Sequence, residues 1–196
     1  ASALAFMFIV FTVSMLSSGN IRFSQSAELV SFTAYIITGF LSILLLREAD
    51  MGKYLYLLVF IGAWSTDTGA YFVGVLFGKH KLIPEVSPKK TVEGAFGGVL
   101  GCVLGFVIYG FIISKIHPEI SVNYLLLVLL ALAVAVISQL GDLIASFVKR
   151  EQGIKDFGFI FPGHGGVLDR FDSIIAVAPL IYIASLFVTK DIFTFI

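Results

Sequence analysis

Residues 122–147 read VNYLLLVLLALAVAVISQLGDLIASF, and this run decides the fold. From Leu125 to Ile137 every residue is aliphatic, after which Ser138, Gln139, Asp142 and Ser146 break the pattern. A helix needs about 20 apolar residues to cross the hydrocarbon core of a bilayer, and this run is long enough. Five further stretches qualify or nearly do, at roughly 1–17, 28–46, 54–77, 94–114 and 173–189. Lipid offers no partner to an unpaired backbone N–H or C=O, so spans of this kind must be helices. No alternation of polar and apolar positions supports an outer-membrane barrel. The expected architecture is all-α, a polytopic transmembrane helix bundle of about six spans with two functional cytoplasmic loops.

Composition points the same way. The 196 residues are 58% hydrophobic and only 13% charged, with a mean hydropathy of +1.01. Ordinary globular domains carry about 25% charged residues, so half that charge cannot cover a water-exposed surface. Thirteen basic and thirteen acidic residues cancel, which leaves no basic surplus for nucleic acid. Cys102 is the only cysteine, so no intrachain disulfide can form. The chain opens on Ala1 inside an apolar segment, without the basic region of a signal peptide. It is therefore expected to be a single integral membrane domain, 1–196, shortened at its N-terminus.

Loop cations set the orientation. Lys79, Lys81, Lys89, Lys90, Lys149, Arg150, Lys155, Arg170 and Arg22 fall on one side, and only Arg47, Lys53, Lys115 and Lys190 on the other. The positive-inside rule then makes the loops at 78–93 and 148–172 cytoplasmic. Gly97, Gly101 and Gly105 recur every four residues in the fourth span, a spacing that lets helices approach closely. No GxxxxGK[ST] or HExxH motif occurs.

A carboxylate at bilayer depth costs about 2.5–3.5 kcal/mol on insertion scales, which marks such residues as functional candidates. Asp67 sits in the polar notch Ser65-Thr66-Asp67-Thr68 of the third span, and Asp142 lies near the end of the fifth. Gln139, Asp142, Ser146 and Lys149 follow at helical spacing, a single polar face leading to the loop. That loop gathers Lys149, Arg150, Lys155, His164, Gly163, Gly165, Gly166, Asp169, Arg170 and Asp172. Glycines let backbone N–H groups approach an anion. Asp169 and Asp172 are hard oxygen donors of the kind Mg²⁺ takes, and the cations can neutralise phosphate. His164 reads as a donor to phosphate, since no Cys or second His completes a soft metal site. The other loop, Ser87-Pro88-Lys89-Lys90-Thr91-Val92-Glu93-Gly94, places two lysines before a helix start and reads as a second anion site. Together these describe a membrane-interface site that handles phosphates with a divalent cation.

The stretch SFVKREQGIKDFGFIFPGHGGVLDRFD, residues 146–172, resembles the signature of the phosphatidate cytidylyltransferases (CDP-diacylglycerol synthases). QLGD (139–142), DTGAYF (67–72), FGKHKL (77–82) and SPKKTVEG (87–94) also resemble that family, with the signature region at 139–172. The resemblance implies transfer of CMP from CTP to phosphatidate with Mg²⁺, giving CDP-diacylglycerol and pyrophosphate in phospholipid biosynthesis. It implies metal binding by Asp142 and Asp169, and catalytic positions at Lys149, Arg150, Lys155, Asp156, His164, Arg170 and Asp172. Ser87, Lys89, Lys90, Thr91 and Glu93 match the family's upstream loop, and with Asp67, Ser146, Gly165 and Gly166 are expected to bind substrate. Ala145 stands where many members carry a Glu, so that turn offers no third carboxylate.

The expected partners are CTP, phosphatidate and the bilayer, with a homodimer as an allowed assembly and nucleic acid excluded. The expected location is a bacterial inner (plasma) membrane, with the site facing the cytoplasm. Two alternatives stay open on the residues alone. One is a CTP-dependent enzyme acting on another membrane lipid phosphate. The other is an ion-coupled transporter using Asp67 and Asp142, against which the halves show no internal repeat.

Overall fold

A computed structural model describes residues 2–160, 165–187 and 192–195. Among the described residues, six helices follow the six apolar stretches: α1 (Ser2–Leu16), α2 (Phe23–Glu48), α3 (Gly52–Phe77), α4 (Val92–Ile116), α5 (Tyr124–Glu151) and α6 (Leu168–Phe187). Four of them, α2, α4, α5 and α6, are long and apolar enough to cross a membrane. α1 is a shorter apolar helix of 15 residues, and the polar notch around Asp67 interrupts the apolar run of α3. About six spans is therefore an approximate count, and the chain is an integral membrane protein built as a helix bundle.

Several helices run past their apolar cores. α6 begins at Leu168 rather than near 173, because the polar turn Asp169-Arg170 is already helical. α5 continues to Glu151 and ends in a glycine-terminated turn. There the Gly153 N–H donates to Arg150 O at 3.0 Å and the Ile154 N–H to Lys149 O at 2.9 Å. Gly153 has φ +65, the left-handed conformation that this double closure requires. Lys149 and Arg150 fall in that last turn, where positive charge complements the helix dipole.

Lipid is as apolar as leucine, so bundle helices are held by close packing of small residues rather than by exclusion from water. The α3–α4 pair shows this. Gly97 and Gly101 lie against Gly69, and a Cβ added at Gly101 would sit 2.5 Å from Ser65 O and 3.2 Å from Gly69 Cα. Gly141 lets α5 approach α6 at Ala176 and Asp172, and Gly39 does the same for α2 at Ile175. Phe106, Leu55, Leu58, Leu127, Val134 and Ile181 fill the buried centre. Outward apolar side chains such as Leu104, Ile108, Leu125 and Ile183 are exposed, as lipid contact allows.

Two short antiparallel pairs complete the chain. β1 (Lys81–Ile83) and β2 (Ser87–Thr91) form a hairpin between α3 and α4, with Lys81 opposite Thr91 and Ile83 opposite Ser87. β3 (Ile120–Val122) pairs with β4 (Phe193–Phe195) beside the start of α5. There the Tyr109 hydroxyl donates to Tyr54 O at 2.9 Å, and the Phe193 ring packs against both tyrosines. The hairpin reaches α5 near its C-terminal end, so the segments at 78–93 and 148–172 meet at one end of the bundle. The start of α2 joins them, with Gln152 Nε2 donating to Glu28 Oε2 at 3.1 Å and the Phe32 and Phe157 rings 5.5 Å apart.

Candidate active site

The hairpin is anchored by the first turn of α4. Thr91 ends β2 and caps the helix, its hydroxyl accepting the Gly94 N–H at 3.1 Å. Glu93 reaches back across the hairpin and accepts the backbone N–H groups of Lys79 at 3.1 Å and His80 at 3.2 Å. Its other oxygen lies 2.6 Å from His80 Nδ1. Thr91 thus fixes the end of β2, the strand that carries Lys89 and Lys90, and Glu93 holds the chain that enters β1.

Between this hairpin and α3, α4 and α5 lies a cavity of about 430 Å³. Asp67, Tyr71, Lys81, Lys89, Lys90, Thr91, Gln139 and Asp142 supply its polar wall. Lys90 Nζ stands 2.6 Å from Asp142 Oδ2 and 3.5 Å from Gln139 O. The Gln139 amide donates to Ala95 O at 3.3 Å and Ala135 O at 3.1 Å, tying α5 to α4. One turn beyond Asp142, the Ser146 hydroxyl donates to Asp142 Oδ1 at 3.4 Å.

A second cluster fixes the start of α6. Lys149 Nζ bonds Asp169 Oδ1 at 2.7 Å, with side chains only 10% and 4% exposed. Asp169 Oδ2 accepts the backbone N–H groups of Phe157 at 2.8 Å and Gly166 at 2.9 Å. Gly165, at φ +80, presses so closely that a Cβ there would lie 2.9 Å from Asp169 Oδ2. A Cβ on Gly166 would meet Gly158 N, also at 2.9 Å. Of the glycines in this stretch, Gly166 gives its backbone N–H to the carboxylate of Asp169.

Three acids on three helices influence one another electrostatically. Asp67 of α3 lies within electrostatic range of Asp142 and Asp172, and of Lys90 and Arg170. Asp172 of α6 in turn senses Asp142, Lys149 and Asp169, while its Oδ1 accepts the Ser173 N–H at 2.8 Å. Lys155 in the loop and Arg170 in the first turn of α6 are exposed, and Asp156 is half-buried. The Arg150 guanidinium donates to Ile154 O at 3.3 Å. Ser87 pairs within the hairpin opposite Ile83. His164 and Gly163 lie outside the described residues.

The expected site is thus divided into a cavity at Asp67, Lys89, Lys90 and Asp142, and a latch at Lys149, Asp169 and Gly166. The Asp172 carboxylate lies between them. Tyr71 and Lys81 join the cavity although the sequence singled them out only within DTGAYF and as a loop cation. Tyr71 follows Asp67 by one helical turn, a spacing that could have flagged it.

Among the described residues, no group of three or more His, Cys, Asp or Glu side chains is arranged to hold a metal ion. The two carboxylates expected to do so differ in what they have to spare. A carboxylate offers about four lone-pair sites. Asp169 already receives three donors. Asp142 faces the cavity with Lys90 on one oxygen and only the long Ser146 contact on the other. Asp142, near Asp67 and Asp172, is the better fit for a divalent cation.

A family model described as the cytidylyltransferase family matches residues 1–188. The chain is similar to phosphatidate cytidylyltransferase of Staphylococcus epidermidis, with 41% identity over 180 residues, covering 92% of this chain and 66% of the relative. The Staphylococcus haemolyticus protein of the same name is 40% identical over 182 residues, 93% of this chain and 67% of the relative. That of Staphylococcus aureus is 39% identical over 183 residues, with the same coverage of 93% and 67%. The chain spans about two thirds of the length of the relatives it matches.

Proposed function

The chain belongs to the cytidylyltransferase family, and we propose that it transfers CMP from CTP to phosphatidate, giving CDP-diacylglycerol and pyrophosphate. The observation that carries this reading is the cavity in which Lys81, Lys89 and Lys90 meet Asp67 and Asp142 at one end of a membrane bundle. Such a place suits a water-borne polyanion and a lipid phosphate that must meet. The names of the relatives support the same substrates.

The chemistry asks little of a general base. A phosphate monoester has a second pKa near 6, so the attacking oxygen of phosphatidate is largely ionised at neutral pH. It forms a bond to the α-phosphorus of CTP while the bond to the bridging oxygen breaks and pyrophosphate leaves. The obstacle is repulsion between two polyanions, which fixed cations relieve. Lys89 and Lys90 neutralise phosphate within the cavity, while Arg150 at the end of α5, Arg170 at the start of α6, Lys155 and His164 also act on phosphate. Ser87, Thr91 and Glu93 hold the lysine-bearing hairpin. Lys149, Gly165 and Gly166 position Asp169, Asp156 and Asp172 complete the polar surface around α6, and Ser146 supports Asp142. Mg²⁺, when bound, supplies charge neutralisation at the reacting phosphates. Asp142 would hold it, with Asp169 contributing at most one lone pair. Transfer is direct, without a cytidylyl-enzyme; ping-pong kinetics would overturn that.

In this reading the site faces the cytoplasm of a bacterial plasma membrane, as the loop cations suggest, and residues 1–196 form one integral membrane domain. The test is incubation of the purified protein in detergent with labelled CTP, phosphatidate and Mg²⁺. Label should become lipid-extractable, and at sub-saturating Mg²⁺ Asp142→Asn should lower it about tenfold or more. Label appearing only with another lipid phosphate would move the substrate. No CTP turnover with any lipid would overturn the reading.

A further inference from the structure

The polar cavity has an apolar neighbour. A groove of about 450 Å³ runs beside it, lined by Ile83, Phe96, Val99, Val136, Leu140 and Leu143. The two spaces share three residues, Leu82, Ala95 and Gln139, one from each of β1, α4 and α5. On β1 and α5 polarity changes across that ridge: Lys81 lines the cavity and Ile83 the groove, and Asp142 lines the cavity and Val136 the groove. On α4 the small Gly94 lines the cavity and the bulkier Val99 the groove. Gln139 is fixed in place on the ridge by its two backbone hydrogen bonds.

We infer that this groove seats the part of a phosphatidate acyl chain nearest the glycerol, with the lipid phosphate at Lys89 and Lys90. The inference rests on the cytidylyl-transfer reading and adds to it the place where the lipid lies. Every outward apolar face of a bundle touches lipid. What sets this one apart is its shared wall with a cationic cavity, which matches a molecule that is anionic at one end and apolar at the other. A second groove, at Ile9, Val13, Ile21 and Leu29 on α1, α2 and the turn between them, shares no residue with the cavity. From Val136 to Leu143 the groove follows α5 for about 10 Å at 1.5 Å per residue. It therefore reads the upper part of a chain and leaves the tail in the bilayer.

Filling the groove should weaken the lipid and spare the nucleotide. Val99→Trp and Val136→Trp are compared with wild type on CTP and on dioleoyl and dihexanoyl phosphatidate, whose chains both reach along the groove. KM for each lipid is expected to rise about tenfold, the equivalent of roughly two lost buried methylenes. KM for CTP should stay within about twofold, which also shows that the variants fold. An equal rise for CTP, or no rise for either lipid, overturns the inference.

A second measurement needs no turnover. Phosphatidate carrying a diazirine near the glycerol end of its chain is photolysed with the protein in vesicles, alongside phosphatidylcholine bearing the same chain. Preferential labelling of the segments around Phe96 and Val136 by phosphatidate supports the inference. Equal labelling by both lipids, or labelling confined to α1 and α2, overturns it. If the wild type transfers no CMP to either phosphatidate, the functional reading fails, and the labelling pattern still decides the groove separately.

Discussion

Lys90 on β2 and Asp142 on α5 stand 2.6 Å apart, nitrogen to oxygen, with side chains 24% and 28% exposed. The pair joins the hairpin to a membrane helix and forms part of the cavity wall. It also leaves the ammonium where it can turn to an arriving phosphate without the strand moving.

If that ammonium meets phosphate in the transition state, its loss should fall on turnover. Lys90→Met is expected to lower kcat/KM for CTP by about 10²-fold, the scale seen when one stabilising donor is removed. Lys90→Arg keeps the charge but spreads it over a larger planar group, and should retain part of the activity. Steady-state kinetics with both substrates varied would check this. Equal activity in Met and Arg variants would remove Lys90 from the site.

The Lys149–Asp169 pair predicts a different phenotype. It is buried, and Asp169 also holds the backbone of Phe157 and Gly166. Removing one partner of a buried ion pair typically costs about 3–5 kcal/mol, because the other charge is left uncompensated. Lys149→Met should therefore lower the thermal midpoint in detergent and open residues 152–160 to limited proteolysis. Lys149→Met combined with Asp169→Asn should recover part of the loss, since coupled neighbours are not additive. Strict additivity would show that the pair is not coupled.

Helix packing makes a third prediction. Gly101→Val places side-chain atoms against Ser65 O and Gly69, and overpacking of this kind costs about 1–3 kcal/mol. Leu104→Ala, on the exposed face of the same helix, should stay within about 0.5 kcal/mol. Thermal midpoints of the two variants side by side would test whether the α3–α4 contact holds the bundle.

The helices were legible because hydropathy maps directly onto them. Leu125 to Ile137 can only be a buried or lipid-facing helix, and the spacing of Gln139, Asp142, Ser146 and Lys149 put them on one face. The hairpin was not legible. Ser87-Pro88-Lys89-Lys90-Thr91 has no apolar alternation, and the hairpin is closed by Glu93 of the next helix through Lys79 and His80 at its entry. Nor could spacing reveal that the Gly166 N–H serves Asp169 or that Lys90 meets Asp142. Those are tertiary contacts between separate elements, and each takes two candidates the sequence had marked for a ligand and pairs them with each other. Tyr71 carries a signal only through its spacing, one helical turn after Asp67.

That pairing separates the two carboxylates expected to hold metal. Asp142 faces the cavity with lone pairs to spare, whereas Asp169 is nearly saturated by Lys149 and two backbone donors. Asp142→Asn should raise the Mg²⁺ concentration for half-maximal transfer by about tenfold or more, with a small change in thermal midpoint. Asp169→Asn should do the reverse, lowering the midpoint strongly while the surviving folded protein keeps a near-normal Mg²⁺ dependence. Mg²⁺ titrations of activity on both variants, normalised to folded protein by thermal denaturation, would decide it. A shift in Mg²⁺ dependence for Asp169→Asn alone would make Asp169 the principal ligand and reduce the Asp142 carboxylate to the partner of Lys90.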